Sequence, residues 1–118
     1  MTFCLGIKTE QGLVGIADTR ITTGTQRLTA RKVSIHEYGG HPMFVMTSGL
    51  RSVRDKALTY FDEVIDESEH SFDRLYKAVN ALARQIRRVA KEDEKALNKA
   101  GLRFNLHALV GGQLSGDD

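Results

Sequence analysis

A single cysteine, Cys4, rules out an internal disulfide, and no cysteine–histidine cluster stands at zinc-ligand spacing. A reducing, cytoplasmic setting fits such a chain. No apolar run approaches the roughly 20 residues a membrane helix needs, and the first segment lacks the basic start and long apolar stretch of a signal peptide. A soluble, unexported protein with no membrane partner is therefore expected. Charge of one sign is missing too: 17 Lys and Arg stand against 15 Asp and Glu, interleaved, for a net charge of +2. The pI near 8.8 thus demands no nucleic-acid partner. Internal repeats and low-complexity segments are also lacking.

What is present reads as globular. With 118 residues, 41% apolar and 27% charged, the chain fits one domain or a piece of one. A domain of this size buries roughly 65% of the surface its unfolded form exposes. Residues 2–7 alternate, Phe3, Leu5 and Ile7 on one side and Thr2, Cys4 and Gly6 on the other, which is a strand signature. The turn KTEQG leads to a second strand over 13–18, whose small residues Gly15 and Ala17 permit another backbone to come close. The stretch TRITTGTQRLTA has no clear period and reads as a long loop excursion. Strands over 32–37 and 43–47 follow as a hairpin around Gly39, Gly40 and Pro42.

From Gly49 the period changes to 3.6. Leu50, Val53, Ala57, Leu58, Phe61, Val64 and Ile65 predict an amphipathic helix ending near Ser68. A second helix is predicted to start near Ser71 as N-cap, to carry Phe72, Leu75, Val79, Leu82, Ile86 and Val89, and to stop before Gly101. FNLHALVGG is then a strand with Phe104, Leu106, Ala108 and Val110 on one face, and QLSGDD is the turn after it. Four strands, two long adjacent helices and one strand make a simple βαβ winding a poor description. An α+β fold, with helices on one face of a mainly antiparallel sheet, is the better one.

Three places could carry chemistry. Thr2 stands behind a removable methionine, and once Met1 is gone its α-amine, with a pKa of about 7.7–8.0 in peptides, could take the proton of its own hydroxyl. Read alone, however, MT is a common chain start. Asp18 in ADTR and Lys32 in ARKV stand at strand ends. A buried Lys32 beside Thr2 would favour loss of a proton and hold developing negative charge, with Asp18 keeping it in place, whereas singly each reads as a surface charge. In TSGLRSVRD a strand runs into a helix through Ser48 and Gly49, where backbone N–H groups could hold an oxyanion or simply form an N-cap.

Thr2, the strand GLVGIADTR, the strand ARKV and the turn MTSG together resemble the proteasome β-subunit class of N-terminal nucleophile (Ntn) hydrolases, in particular its bacterial Anbu and HslV-like branches. The resemblance runs over the whole chain. It implies an αββα sandwich, of which this chain supplies about half, as a single domain over 1–118 truncated at the C-terminus. It implies a threonine-type endopeptidase that cleaves peptide bonds in peptide or unfolded-protein substrates and assembles into a ring or helical oligomer, with no cofactor and no metal. Thr2 matches the nucleophile, Asp18 and Lys32 the supporting acid and lysine, and Arg20 a structural arginine. Thr22 matches a contact to the substrate backbone, Met46 a wall of the substrate pocket, and Ser48 with Gly49 the oxyanion donors, although the family more often has glycine at the first of these two. Members of the class are roughly twice as long, and their second half supplies further residues near the threonine amine. This chain, truncated or with Met1 retained, is accordingly expected to be inactive.

A non-catalytic assembly subunit of such an oligomer and a small RNA-binding α+β domain are the alternative readings. Arg84, Arg87, Arg88 and Lys91 form a basic stretch without interleaved aromatics, which reads as a solvated face or subunit contact rather than an RNA site. Cys4 reads as a small buried residue. His36, His41, His70 and His107 show no ligand pairing, and His107 reads as a core or interface side chain.

Overall fold

The computed structural model describes residues 3–23, 26–29, 32–67 and 72–117, and over 20–29 only the backbone of two strands. Among the described residues the order is β1 Cys4–Thr9, β2 Gly12–Ala17, β3 Arg20–Thr23, β4 Gln26–Thr29, β5 Val33–Tyr38, β6 His41–Gly49, α1 Arg51–Glu67, α2 Leu75–Lys99 and β7 Leu106–Gly112. This is an α+β chain. Every strand pairing is antiparallel: β1 with β2, β3 with β4, and a three-stranded sheet in the order β5-β6-β7. The threonine-rich stretch expected to be a loop is thus the hairpin β3–β4, with Ile21 opposite Leu28. Threonine suits a strand, but the stretch has too few apolar residues to show alternation.

The two long helices lie on one face of the three-stranded sheet. Met43 and Val45 of β6 meet Leu58 and Phe61 of α1 and Ala78, Ala81 and Leu82 of α2, with Leu114 closing the group. Val53, Ala57 and Val89 form a second cluster, against which Phe104 and Leu106 pack. The predicted stripe of α1 is therefore the buried one. On α2 the stripe turns: Val79 is exposed and Ala78 and Ala81 are buried, because alanines bring the helix axis close to its neighbours where a valine would hold it off.

Polar groups fasten the same layer. Lys56 reaches both Glu92 and Asp93, the Tyr60 hydroxyl donates to Glu92 at 2.8 Å, and the Arg88 guanidinium lies 3.8 Å from the Tyr60 ring centre. These contacts draw Glu92 down to about 2, the Lys56 ammonium acting most strongly. The buried ring of His36 on edge strand β5 bonds Asp62 of α1 through Nδ1 at 2.6 Å and Ser34 through Nε2 at 2.8 Å, with Phe61 edge-on at 5.4 Å. Arg88 is thus already engaged within the chain, which leaves the basic stretch less of its charge for RNA.

The ends of α2 are instructive. Ser71 lies outside the described residues, and the helix begins at Leu75, not near Ser71. Arg74 in the N-cap position provides no side-chain bond, and the Leu75 amide donates instead to Asp117 Oδ2 at 2.9 Å, as does Leu114. At the other end Gly101 adopts φ +77°, its amide donates to Asn98 and that of Leu102 to Leu97, which closes the helix in the Schellman manner.

The opposite face of the three-stranded sheet is met by β1–β2. A Cβ on Gly15 would lie 2.9 Å from the Phe44 ring, one on Gly6 would lie 3.2 Å from Leu109, and one on Gly111 would strike the same Phe44 ring. The small residues therefore face inward and let the two sheets close on an aromatic side chain. Cys4, expected to be buried, shares that inward face at intermediate exposure. Phe3, Leu5, Ile7, Val14 and Ile16 point the other way and are 40–58% exposed. No helix among the described residues is long and apolar enough to cross a membrane.

Candidate functional site

Asp18 follows directly on β2, and its amide donates to the carbonyl of Phe3 at 3.1 Å, which extends the hairpin by one bond toward the chain start. Lys32 immediately precedes β5. Its ammonium bonds Asp18 Oδ1 at 2.5 Å, and the lysine is only 6% exposed. Read singly from the sequence, each was a surface charge; for Lys32 the structure corrects that reading. An ammonium removed from water needs a counter-ion, and Asp18 supplies one. Bonding to Lys32 in turn holds the Asp18 carboxyl below the usual carboxylate range, with a backbone hydrogen bond from Phe3 to the carboxylate adding to the effect.

The neighbourhood extends in two directions. Cys4 lies close enough to feel both charges: burial raises its thiol pKa most, the Asp18 carboxylate raises it further and Lys32 opposes them. On the other side Val33 pairs with Met46, so the root of Lys32 runs alongside the end of β6 that carries Ser48 and Gly49. Met46 is fully buried.

Ser48 and Gly49 are the last residues of β6, still paired with His107 and Leu106 of β7, rather than a free turn. Of the amides near the helix start, that of Leu50 is already used, donating to Asn105 O at 3.0 Å. Gly49 has φ +130°, and a Cβ there would collide with the backbone of Asn105, so only glycine lets the two segments close. Beside this contact opens a cleft of about 810 Å³, lined by Ser48, Gly49, Leu50 and residues 103–107. His107, expected in a core or interface, is exposed and lines it with Arg103. Neither residue was read from the sequence as part of a site. Only the register of β7 on β6 brings them there.

The remaining candidates lie wholly or partly outside the description. Thr2 lies outside the described residues. Arg20 and Thr22 lie on β3 opposite Thr29 and Arg27, and their side chains lie outside the description. His70 is likewise outside. Among the described residues, no group of three or more His, Cys, Asp or Glu is placed to hold a metal ion. The Ser34–His36–Asp62 chain of hydrogen bonds has the order of a hydrolase triad, but His36 is 7% exposed under Phe61, and neither the cleft above nor a second one at the β1–β2 turn is lined by it. It fastens β5 to α1.

No protein-family model and no curated protein matches the sequence. The fold, in contrast, matches solved structures closely. An Anbu Gly-1 mutant from Hyphomicrobium sp. strain MC1 aligns with a TM-score of 0.81 at 21% identity, covering 98% of this chain and 48% of that one. Anbu, the ancestral beta-subunit, from Yersinia bercovieri gives 0.79 at 21% identity, with 98% and 48% covered. A helical assembly of the Anbu complex from Pseudomonas aeruginosa gives 0.83 at 22% identity, with 98% and 49% covered. The chain spans about half the length of the solved structures it matches and shares their fold over that half.

Proposed function

We propose that this chain is the first half of a proteasome-type threonine peptidase subunit of the Ntn class, its sheets forming half of an αββα sandwich, and that Thr2 is its nucleophile once Met1 is removed. The observation that carries this reading is the pairing of buried Lys32 with the partly exposed Asp18, anchored through the Asp18 amide to the carbonyl of Phe3. Thr2 is joined to Phe3 by one peptide bond, a Cα spacing of ~3.8 Å.

In this mechanism the Thr2 α-amine accepts the hydroxyl proton while Oγ attacks the scissile carbonyl carbon. The ammonium of Lys32 favours the forming alkoxide, and Asp18 fixes that ammonium in place. Of the Ser48 and Gly49 amides, the one that points away from β7 holds the tetrahedral oxyanion. The α-ammonium then passes its proton to the leaving amine, the C–N bond breaks, and an ester on Thr2 remains. Water, deprotonated by the same α-amine, attacks the ester carbonyl; the C–O bond to Thr2 breaks and the proton returns to Oγ. Met46 shapes the pocket for the residue before the cut, Thr22 bonds the substrate backbone, and Arg20 supports the strand end. With Met1 retained, the Thr2 nitrogen is an amide and the first step is lost.

The complete protein associates with copies of itself in a ring or helix, as the Pseudomonas aeruginosa Anbu complex forms a helical assembly. A second reading, a non-catalytic assembly subunit, draws on the bare apolar face of β1–β2, which is suited to association.

Intact-mass spectrometry after exposure to an electrophile that needs both an amine and a hydroxyl on one residue separates the two. The peptidase reading expects loss of Met1 and a single adduct on Thr2, with labelling slowed about 100-fold or more in Lys32→Ala. Labelling that is unchanged by Lys32→Ala, or absent from a chain that begins at Thr2, leaves the assembly reading.

A further inference from the structure

Resting on the peptidase reading above, we infer that the cleft beside the paired ends of β6 and β7 selects an acidic side chain next to the scissile bond, with Arg103 as the selecting group. The cleft, about 810 Å³, is lined by Ser48, Gly49 and Leu50 together with residues 103–107, the last of which pair with them at this end of the sheet. Among the described residues no carboxylate lines it and Arg103 forms no ion pair. His107 stands opposite Ser48 in the register, so the two side chains share one face of the sheet. The donors on these walls are a guanidinium, an amide and an imidazole, a set that suits a carboxylate better than its neutral isostere.

The walls are fixed before any ligand arrives. Leu50 N holds Asn105 O at 3.0 Å, Gly49 permits that approach at φ +130°, and Phe104 and Leu106 are anchored on Val53, Ala57 and Val89. Arg103 is therefore carried on a braced segment rather than a free loop, which lowers the cost of ordering it on a ligand. The second cleft makes a useful contrast. Its rim at the β1–β2 turn includes Lys8 together with Glu10 and Asp117, charges of both signs that offer no such discrimination. Proximity sets the position of the selected group, because the residues proposed to hold the oxyanion form the cleft's own wall.

The test uses the 118-residue chain carrying Thr2→Ala, which removes hydrolysis, and two fluorescein-labelled peptides identical but for Glu or Gln at the central residue. Fluorescence anisotropy at low ionic strength is expected to show the Glu peptide binding about tenfold more tightly. Arg103→Glu, with an unchanged circular dichroism spectrum, reverses the order, and Arg103→Lys keeps part of the preference. Equal affinities, no binding of either peptide, or a preference that survives Arg103→Glu overturns the inference. Turnover is scored separately on the complete subunit, processed to begin at Thr2, since the truncated chain is expected to be inactive. A Glu preference without turnover removes the peptidase reading and leaves the selective cleft, while turnover without the preference does the reverse.

Discussion

The two faces of the central sheet are built on opposite plans. On the helix side, β6 presents Met43, Val45 and Thr47 to side chains that interlock, and salt bridges and a histidine lock close the rim. On the β1–β2 side, glycines at 6, 15 and 111 bring backbone up to Phe44 and Leu109, and the outer surface of the hairpin is left apolar and open. A two-stranded hairpin is marginal by itself. The difference teaches where each property resides: stability is concentrated under the helices, whereas the buried lysine pair and the cleft lie where strand ends meet and side chains are small.

This contrast can be broken or sharpened by substitution, and the largest effect belongs to the helix side. Phe61→Ala removes a ring that is 1% exposed and should cost about 3–5 kcal/mol in urea unfolding. A cost below about 1 kcal/mol would mean the helices do not hold the fold. Gly49→Ala should cost about 1–3 kcal/mol, since it meets both an unfavourable φ and the backbone of Asn105. The same variant should open the cleft, seen as faster hydrogen exchange at Leu50. Asp117→Ala frees two amides and should cost about 1 kcal/mol, with the first turn of α2 losing protection first.

Acid should act next. Glu92 is ionised more easily when folded, with its pKa drawn to about 2, so its contribution is fully present above its ordinary value and is lost as pH falls through that range toward about 2. Asp18 is shifted in the same direction and adds to the same loss. Glu92→Gln should therefore flatten the acid limb of a stability–pH curve, and an unchanged limb would place the effect elsewhere. The smallest change is expected on the open face. Leu5→Thr and Ile16→Thr should each alter stability by no more than about 0.5 kcal/mol while reducing self-association in sedimentation. A large destabilisation would show that this face is covered after all.

The sequence was legible where local chemistry decides. The β5–β6 hairpin follows from alternation around Gly39 and Gly40, both at positive φ, and Gly101 stops α2 where a left-handed residue is needed. The α1 stripe was readable because one helix face is buried throughout its length. What failed was set from afar. The start of α2 is governed by a carboxylate 42 positions later in the chain, so the local signal at Ser71 pointed to the wrong turn. Val79 was misread because the pattern favours large apolar residues, and the close approach in fact used Ala78 and Ala81. The place of Arg103 and His107 in the cleft is not legible because nothing near them in sequence indicates that β7 will lay its first residues beside Ser48. For Asp18 and Lys32 the sequence offered two charges at strand ends, and sheet packing brings them together.

The Asp117 clasp has a consequence for synthesis. A chain made from its amino end releases the opening turn of α2 well before the carboxylate that completes it, and before β7 can pair with β6. Until then the Leu75 amide has only water to bond, and Leu114 has yet to reach the core it closes. Maturation of the helix layer thus waits until residues 114–117 have emerged, and a nascent chain stalled short of them would carry α2 frayed at its first turn.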